Sequence, residues 1–296
     1  MEGISVTVRR GTTVESVHRV HAVAVHDGAV VAEAGNPDLV TFMRSSAKPL
    51  QALPLVRARA DLDDREIAIA SASHLADPEQ LDAVRSLLAK APAAESDLEC
   101  GPPETGEIHE RILHNCSGKH AGMLALCQAN GWPTRNYRLT RHPAQEAMLA
   151  EISEAASVDS NDVETAVDGC GVVTFALPLE RMALAFSRLE ELEGGSRVAA
   201  AMRAHPALIR GERAADTRLM RALPGWTAKG GAEGLHCAVS ADGLGIALKV
   251  EDGNGRAIEP ALAAFLDPLG YPLDEYSRSP LLNSRGEIVG ELRATV

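Results

Sequence analysis

Lysine is what this chain most clearly lacks. Lys and Arg together number 29 in 296 residues, yet only five are lysines: Lys48, Lys90, Lys119, Lys229 and Lys249. The other 24 are arginines. Arginine carries a fixed charge, whereas a buried lysine can lose its proton and act as base or ligand. A biased genome accounts for the scarcity, and that bias makes each remaining lysine more informative. Lys48 follows Ser-Ser-Ala, Lys119 follows Cys-Ser-Gly, and Lys229 precedes Gly-Gly. Only Lys90, at the end of an expected helix, reads as an ordinary surface lysine.

Other absences narrow the function classes. Positive charge is short overall, with a formal net charge of −12. That argues against nucleic acid or an anionic membrane surface as partner. No uninterrupted apolar run is long enough to span a bilayer. The opening Met1-Glu2-Gly3 has neither a basic region nor an apolar core, so no export signal is expected. The five cysteines are odd in number and widely spread. They do not read as a disulfide framework, and free thiols or metal ligands in a reducing cytoplasm are the expectation. There is no internal repeat and no low-complexity linker.

What remains is globular. Hydrophobic residues make up 45% and charged ones 24%, a normal balance. A chain of this length buries a large core. We expect a single catalytic domain over 1–296, with room for a helical lobe inserted in a sheet domain.

The local patterns give the expected elements. Residues 4–9, 20–25 and 29–34 read as strands, with His26-Asp27-Gly28 as a hairpin turn. Ser45 or Ser46 is expected to cap a helix running to about Arg59. Ile67-Ala68-Ile69-Ala70 reads as a short buried strand entering the turn Ser71-Ala72-Ser73-His74. Asp77-Pro78 opens a helix to about Lys90. Residues 91–107 read as a loop. Further helices are expected over 118–130, 143–156, 181–192, 196–204, 215–223 and 258–266. Residues 166–170 and 172–175 read as extended. Strands over 236–240 and 245–250 flank a second hairpin at Ala241-Asp242-Gly243. The predicted class is α/β of the α+β type: a central, mainly antiparallel sheet flanked by helices.

The chemistry concentrates in a few stretches. Ser45 and Lys48 stand three apart, so a helix puts hydroxyl and amine on one face. A neutral lysine can activate a serine as nucleophile. The same spacing occurs in penicillin-binding proteins and class A β-lactamases. Cys116, Lys119 and His120 share a helical face and form a ligand set or a substrate clamp. The plain alternative is a buried cysteine at a Gly-rich helix start. Asp168-Gly169-Cys170-Gly171 is either a tight turn or a close backbone approach to a ligand. Cys170 with Cys116 offers two soft sulfur donors, which favour zinc. Lys229-Gly230-Gly231 precedes Lys249, which is either an exposed strand lysine or a buried functional one.

Taken together, these stretches resemble the thermolabile, zinc-containing L-asparaginases of the Rhizobium type. The likeness runs from residues 10–16 through Arg44–Gln51, Ser73-His74, Cys116–Gly122, Asp168–Gly171 and Gly231–Gly234 to Asn283–Gly286. It implies a fold like that of serine β-lactamases and glutaminases. It implies two Ser–Lys pairs, carried onto Ser45 with Lys48 and Ser73 with Lys249. It implies a zinc ion held by Cys116, Lys119 and Cys170 with water. It also implies that Arg44, His120 and Asp168 contact the substrate, and that the protein is a homodimer. Ser71 and the stretch Leu75–Glu79 depart from the family pattern beside the second serine, where they bear on substrate preference. The expected activity is hydrolysis of L-asparagine to L-aspartate and ammonia. The rivals are a glutaminase, a β-lactam or peptide hydrolase of the same fold, and a non-catalytic zinc-binding sensor.

Overall fold

Asp27 and Gly28 take positive φ angles of 49° and 76°. A type I′ hairpin turn needs two such residues. They join strand β2 (Thr13–His26) to β3 (Ala29–Ala34), and β1 (Ile4–Arg10) pairs with the earlier half of β2. The computed structural model describes residues 2–101 and 110–295.

Two small strands, β4 (Val40–Phe42) and β5 (Glu164–Val167), flank β6 (Val173–Pro178) in a three-stranded sheet. The main sheet has eight strands. It is completed by β7 (Thr227–Gly230), β8 (Leu235–Val239), β9 (Gly245–Val250), β10 (Arg278–Leu282) and β11 (Ile288–Thr295). The order is β10-β11-β1-β2-β9-β8-β7, with β3 also on β2. Every pairing is antiparallel. The two ends of the chain therefore meet in the sheet, through β1 and β11.

Between β4 and β7 the chain is mostly helical. It forms α1 (Lys48–Gln51), α2 (Leu53–Ala58), α3 (Asp64–Ala70), α4 (Pro78–Lys90), α5 (Ser117–Asn130) and α6 (Pro143–Ala156). It continues through α7 (Leu179–Ser187), α8 (Gly195–Ala204), α9 (Pro206–Arg210) and α10 (Ala215–Ala222). A last helix, α11 (Ile258–Leu266), packs against β1 and β11 while α7 packs against β2 and β9. Burying both helix faces on one sheet gives the mixed α/β architecture expected above. Among the described residues, no helix is long and apolar enough to cross a membrane.

Three local expectations need correction. Residues 67–70 are the end of helix α3, not a strand. The Asp63 carboxylate accepts from the Glu66 N–H at 2.9 Å, and Glu66 accepts from the Asp63 N–H at 3.0 Å. This reciprocal cap contributes about 1 kcal/mol and starts a helix through the apolar run. The helix expected over 45–59 is a 3-10 turn, Arg44–Ala47, followed by α1 and α2, with no side-chain cap. Pro49 and Pro54 each remove a backbone donor, which favours helix starts over one long helix. Strand β2 begins seven residues before the expected Val20, pairing with β1 over that stretch. Of the loop expected over 91–107, the described part holds a 3-10 turn at Glu95–Asp97, while 102–107 lie outside the described residues.

Candidate active site

The site is built where four segments converge. The first is the Arg44–Ala47 turn. The Met43 N–H donates to Phe175 O at 2.8 Å, and the Arg44 N–H donates to Thr174 Oγ1 at 3.2 Å. Strand β6 thus anchors the turn. Arg44 has a φ of 49°, a left-handed conformation that costs a non-glycine residue roughly 1–3 kcal/mol. That strain sets Ser45 on the wall of a cavity of about 370 Å³, beside Arg44, His74, Cys116, Asp168 and Cys170.

The second and third segments are the end of α3 and the start of α5. Gly118 makes their contact possible: a Cβ there would lie 2.2 Å from Ile69 O. The Cys-Ser-Gly-Lys-His stretch therefore needs this glycine for packing, which brings Cys116 beside Ser73. The fourth segment is β7. A Cβ on Gly231 would lie 2.9 Å from Met43 O and 3.0 Å from Ser46 Oγ, so the strand end abuts the serine turn.

Lys48 is fully buried and central. Its Nζ donates to Ala72 O at 2.5 Å, Ser73 Oγ at 2.9 Å and Cys116 Sγ at 3.3 Å. An ammonium has three protons, and all three are used. Lys48 is thus brought to Ser73, and no hydrogen bond joins it to Ser45. Burial lowers its pKa, opposed by Cys116 and aided by Lys119.

Lys249 is not brought to Ser73. On β9 it faces His21 and Leu235 across the sheet, and its Nζ donates to Glu233 O at 2.7 Å and Val250 O at 2.5 Å. The Glu233-Gly234 turn closes over it, with the Val250 N–H donating to Gly234 O at 2.9 Å. A different lysine, Lys229 on β7, has no solvent exposure. Lys229 donates to Gly230 O at 2.7 Å and lies 3.6 Å from Asp216. Burial pushes its pKa down to about 7; Asp216 opposes the fall, and Lys48 adds to it. The signal for Lys229 was present in the scarcity of lysine and the glycines after it.

Arg44 and Asp168 are joined by a 2.7 Å ion pair, Nε to Oδ1. Asp168 also accepts from the Gly169 N–H at 2.8 Å. His120 is fully buried, and its Nδ1 meets the Tyr137 hydroxyl at 2.8 Å. That hydroxyl accepts from the Glu99 N–H at 2.7 Å and has its own proton to offer His120 Nδ1. The His120 Nε2 is buried without a partner. His74 is fixed in one tautomer. Its Nδ1 accepts from the Ala76 N–H, and its Nε2 donates to Ser117 Oγ at 2.7 Å. Burial, then Lys48, hold His74 neutral, with its pKa down to about 4.

Cys116, Lys119 and Cys170 come together. The Lys119 Nζ donates to Cys170 Sγ at 3.2 Å. The neighbouring Cys170 thiol lowers the Cys116 pKa against burial, helped by Lys48. Cys116, with burial, raises the Cys170 pKa. For Lys119, burial lowers the pKa but is outweighed by the two sulfurs and Asp168, so the net shift is upward. Two thiolates, with the amine of Lys119 once it gives up its proton, form a donor set that a zinc ion fits. Among the described residues, no three His, Cys, Asp or Glu side chains converge in a metal-binding group.

A serine hydroxyl, an arginine–aspartate pair and two cysteines thus line one small cavity, with the buried amine of Lys48 bonded to Cys116 on its wall. The chain belongs to the L-asparaginase II family, whose sequence profile matches residues 6–294. No curated protein matches it. Among solved structures, it is similar to a protein called Mglu in its native form. The identity is 13% and the TM-score 0.48, over 86% of this chain and 64% of that one. It is also similar to a probable glutaminase from Bacillus subtilis complexed with 6-diazo-5-oxo-L-norleucine. There the identity is 15% and the TM-score 0.39, over 86% of this chain and 85% of that one. A beta-lactamase from Mycobacterium bovis matches at 15% identity and a TM-score of 0.34, over 83% of this chain and 94% of that one.

Proposed function

We propose that the protein is an L-asparaginase that hydrolyses L-asparagine to L-aspartate and ammonia through an acyl-enzyme on Ser45. The observation that carries this reading is the Arg44–Asp168 pair beside Ser45 in one cavity of about 370 Å³. The guanidinium suits the carboxylate of a small amino acid, and Asp168 suits its ammonium. The cavity is near the small end of ligand sites, which run roughly 300–1,000 Å³.

Ser45 Oγ attacks the side-chain amide carbon. The O–C bond forms, the C–N bond breaks, and the serine proton leaves with ammonia. Water then attacks the ester, releasing aspartate and returning the proton to Ser45. A buried amine must carry the proton between these groups. The buried charge of Lys48 repels that of Lys229 and helps lower its pKa, which favours one neutral amine. With its pKa near 7, Lys229 takes that part, while Lys48 holds Ser73 in place.

The reading includes a zinc ion held by Cys116, Lys119 and Cys170. When bound, the ion supplies a positive centre beside the cavity. His120 and its unpartnered Nε2 are assigned to the substrate. Lys249 has no part in the reaction. Five free, buried thiols fit a reducing cytoplasm, and the homodimer rests on the family resemblance. Leu75 lines the cavity and is 62% exposed, so it is placed to limit substrate length. Ammonia release from asparagine, compared with glutamine and with nitrocefin opening, tests the proposal. Faster turnover of glutamine or nitrocefin would replace asparagine with that substrate class. No turnover of any of them would favour the sensor reading.

A further inference from the structure

A second cavity of about 260 Å³, sharing no lining residue with the proposed catalytic one, is lined in part by Arg210, Asp216 and His236. Asp216 sits in the first turn of α10 and is 2% exposed. It accepts a hydrogen bond from the Gly230 N–H. The neighbouring Lys229 ammonium, 3.6 Å away, is held at the same time by Gly230 O at 2.7 Å. One residue of β7, Gly230, thus locates both the carboxylate and the amine. A buried carboxylate is expensive unless paired, and a helix start together with a backbone N–H makes this one tolerable. Asp216 does not line the proposed catalytic cavity, so any effect on the reaction runs through Lys229.

We propose that Asp216 is a positioning residue for Lys229, fixing where its amine points and supplying its counter-charge. This rests on the assignment of Lys229 made above. Every charged or titratable group around Lys229 bears on the result. Asp216 comes from α10, Arg210 from α9, His236 from β8, Lys48 from α1 and Cys116 from the residue just before α5. Burial, then Lys48 and Arg210, push the Lys229 pKa down, while Asp216 and Cys116 push it up. Burial keeps His236 neutral, with its pKa down to about 4. Asp216 itself stays ionised: burial would raise its pKa, but Lys229 and the other neighbours bring it to about 2. Of the two groups that raise the Lys229 pKa, Asp216 has the larger effect, and it keeps the amine titrating near neutral pH, where a base is most effective.

The scarcity of lysine makes a direct test practical. Lysine labelled with carbon-13 at Cε gives five side-chain signals, and Lys229→Met assigns one of them. In the wild-type protein the Lys229 signal should titrate near neutral pH. In Asp216→Asn its midpoint should fall by about one pH unit or more. The acid limb of kcat/KM for asparagine should move down with it, and kcat should fall at unchanged KM. An unchanged Lys229 midpoint overturns the proposal. If Asp216→Asn does not fold, Asp216→Glu decides, since it keeps the charge but displaces it. The midpoint should then stay in place while kcat drops about tenfold or more; wild-type kcat in Asp216→Glu overturns the proposal. If the wild type hydrolyses no amide, the functional reading falls, and the lysine titration still decides the role of Asp216.

Discussion

The Lys48 ammonium lies 2.9 Å from the Ser73 hydroxyl and makes no hydrogen bond to Ser45, three residues before it. The two serines are therefore unequal. Ser45 lines the open cavity, whereas Ser73 is 3% exposed and held by Lys48. Ser45→Ala should lower kcat for asparagine by ~10³-fold or more with the fold intact, because the nucleophile itself is lost. Ser73→Ala should cost about 10²-fold, the scale of a mispositioned proton carrier. Ammonia release with circular dichroism as a folding control measures both. The reverse order of losses would make Ser73 the acylated residue.

Arginine in place of each lysine sorts the amines. Arginine keeps the charge and cannot act as a base near neutral pH. Lys48→Arg and Lys229→Arg should be inactive, since both side chains are fully buried and arginine cannot give up its proton there. Lys249→Arg should keep activity within a few-fold, because its ammonium meets only backbone carbonyls. Loss of activity in Lys249→Arg, with normal folding, would return Lys249 to the mechanism.

That contrast shows where sequence reasoning reached and where it stopped. The hairpins at Asp27-Gly28 and Asp242-Gly243 were legible because their φ demands are local. The Pro78, Ser117 and Pro143 helix starts were legible for the same reason. Residues 67–70 were misread because a short buried apolar run looks alike in helix and strand. The deciding Asp63–Glu66 cap lay just upstream. Alternation showed that Lys249 sits on a strand, but not what its end would meet. The approach of Asp216 to Lys229, or of Cys116 to Cys170, leaves no spacing to read. Each pair is set by helices and strands packing across the chain.

Lys229 also makes stability depend on pH. Burial lowers its pKa to about 7 from an ordinary 10.5. Between those values the unfolded chain keeps a proton that the folded chain has lost. Stability therefore rises with pH through that window, and below it this gain is absent. Urea midpoints should climb from about pH 7 to about pH 9, and Lys229→Met should flatten the climb. Equal slopes for the two proteins would mean that another group titrates there.

The zinc proposal turns on whether two sulfurs and one amine hold a metal without help from a fourth side chain. Lys119 and Cys170 are 3.2 Å apart, and Cys116 lines the same cavity as Cys170. Three protein donors leave a position for water or substrate, as in zinc sites that take part in function. Elemental analysis of protein purified without chelator should find about one zinc per chain. Cys116→Ser and Cys170→Ser should each lose most of it. Lys119→Arg should lose it too, since a guanidinium has no lone pair to offer near neutral pH. Circular dichroism separates metal loss from unfolding. If the wild type carries no metal, the two cysteines are a buried thiol pair, and Lys119 serves only as their counter-charge. If zinc persists in Lys119→Arg but not in the serine variants, the site is held by sulfur and water. In that case Lys119, placed between Cys170 and the negative charge of Asp168, would be a substrate contact. The ratio of kcat to KM in that variant then distinguishes binding from turnover.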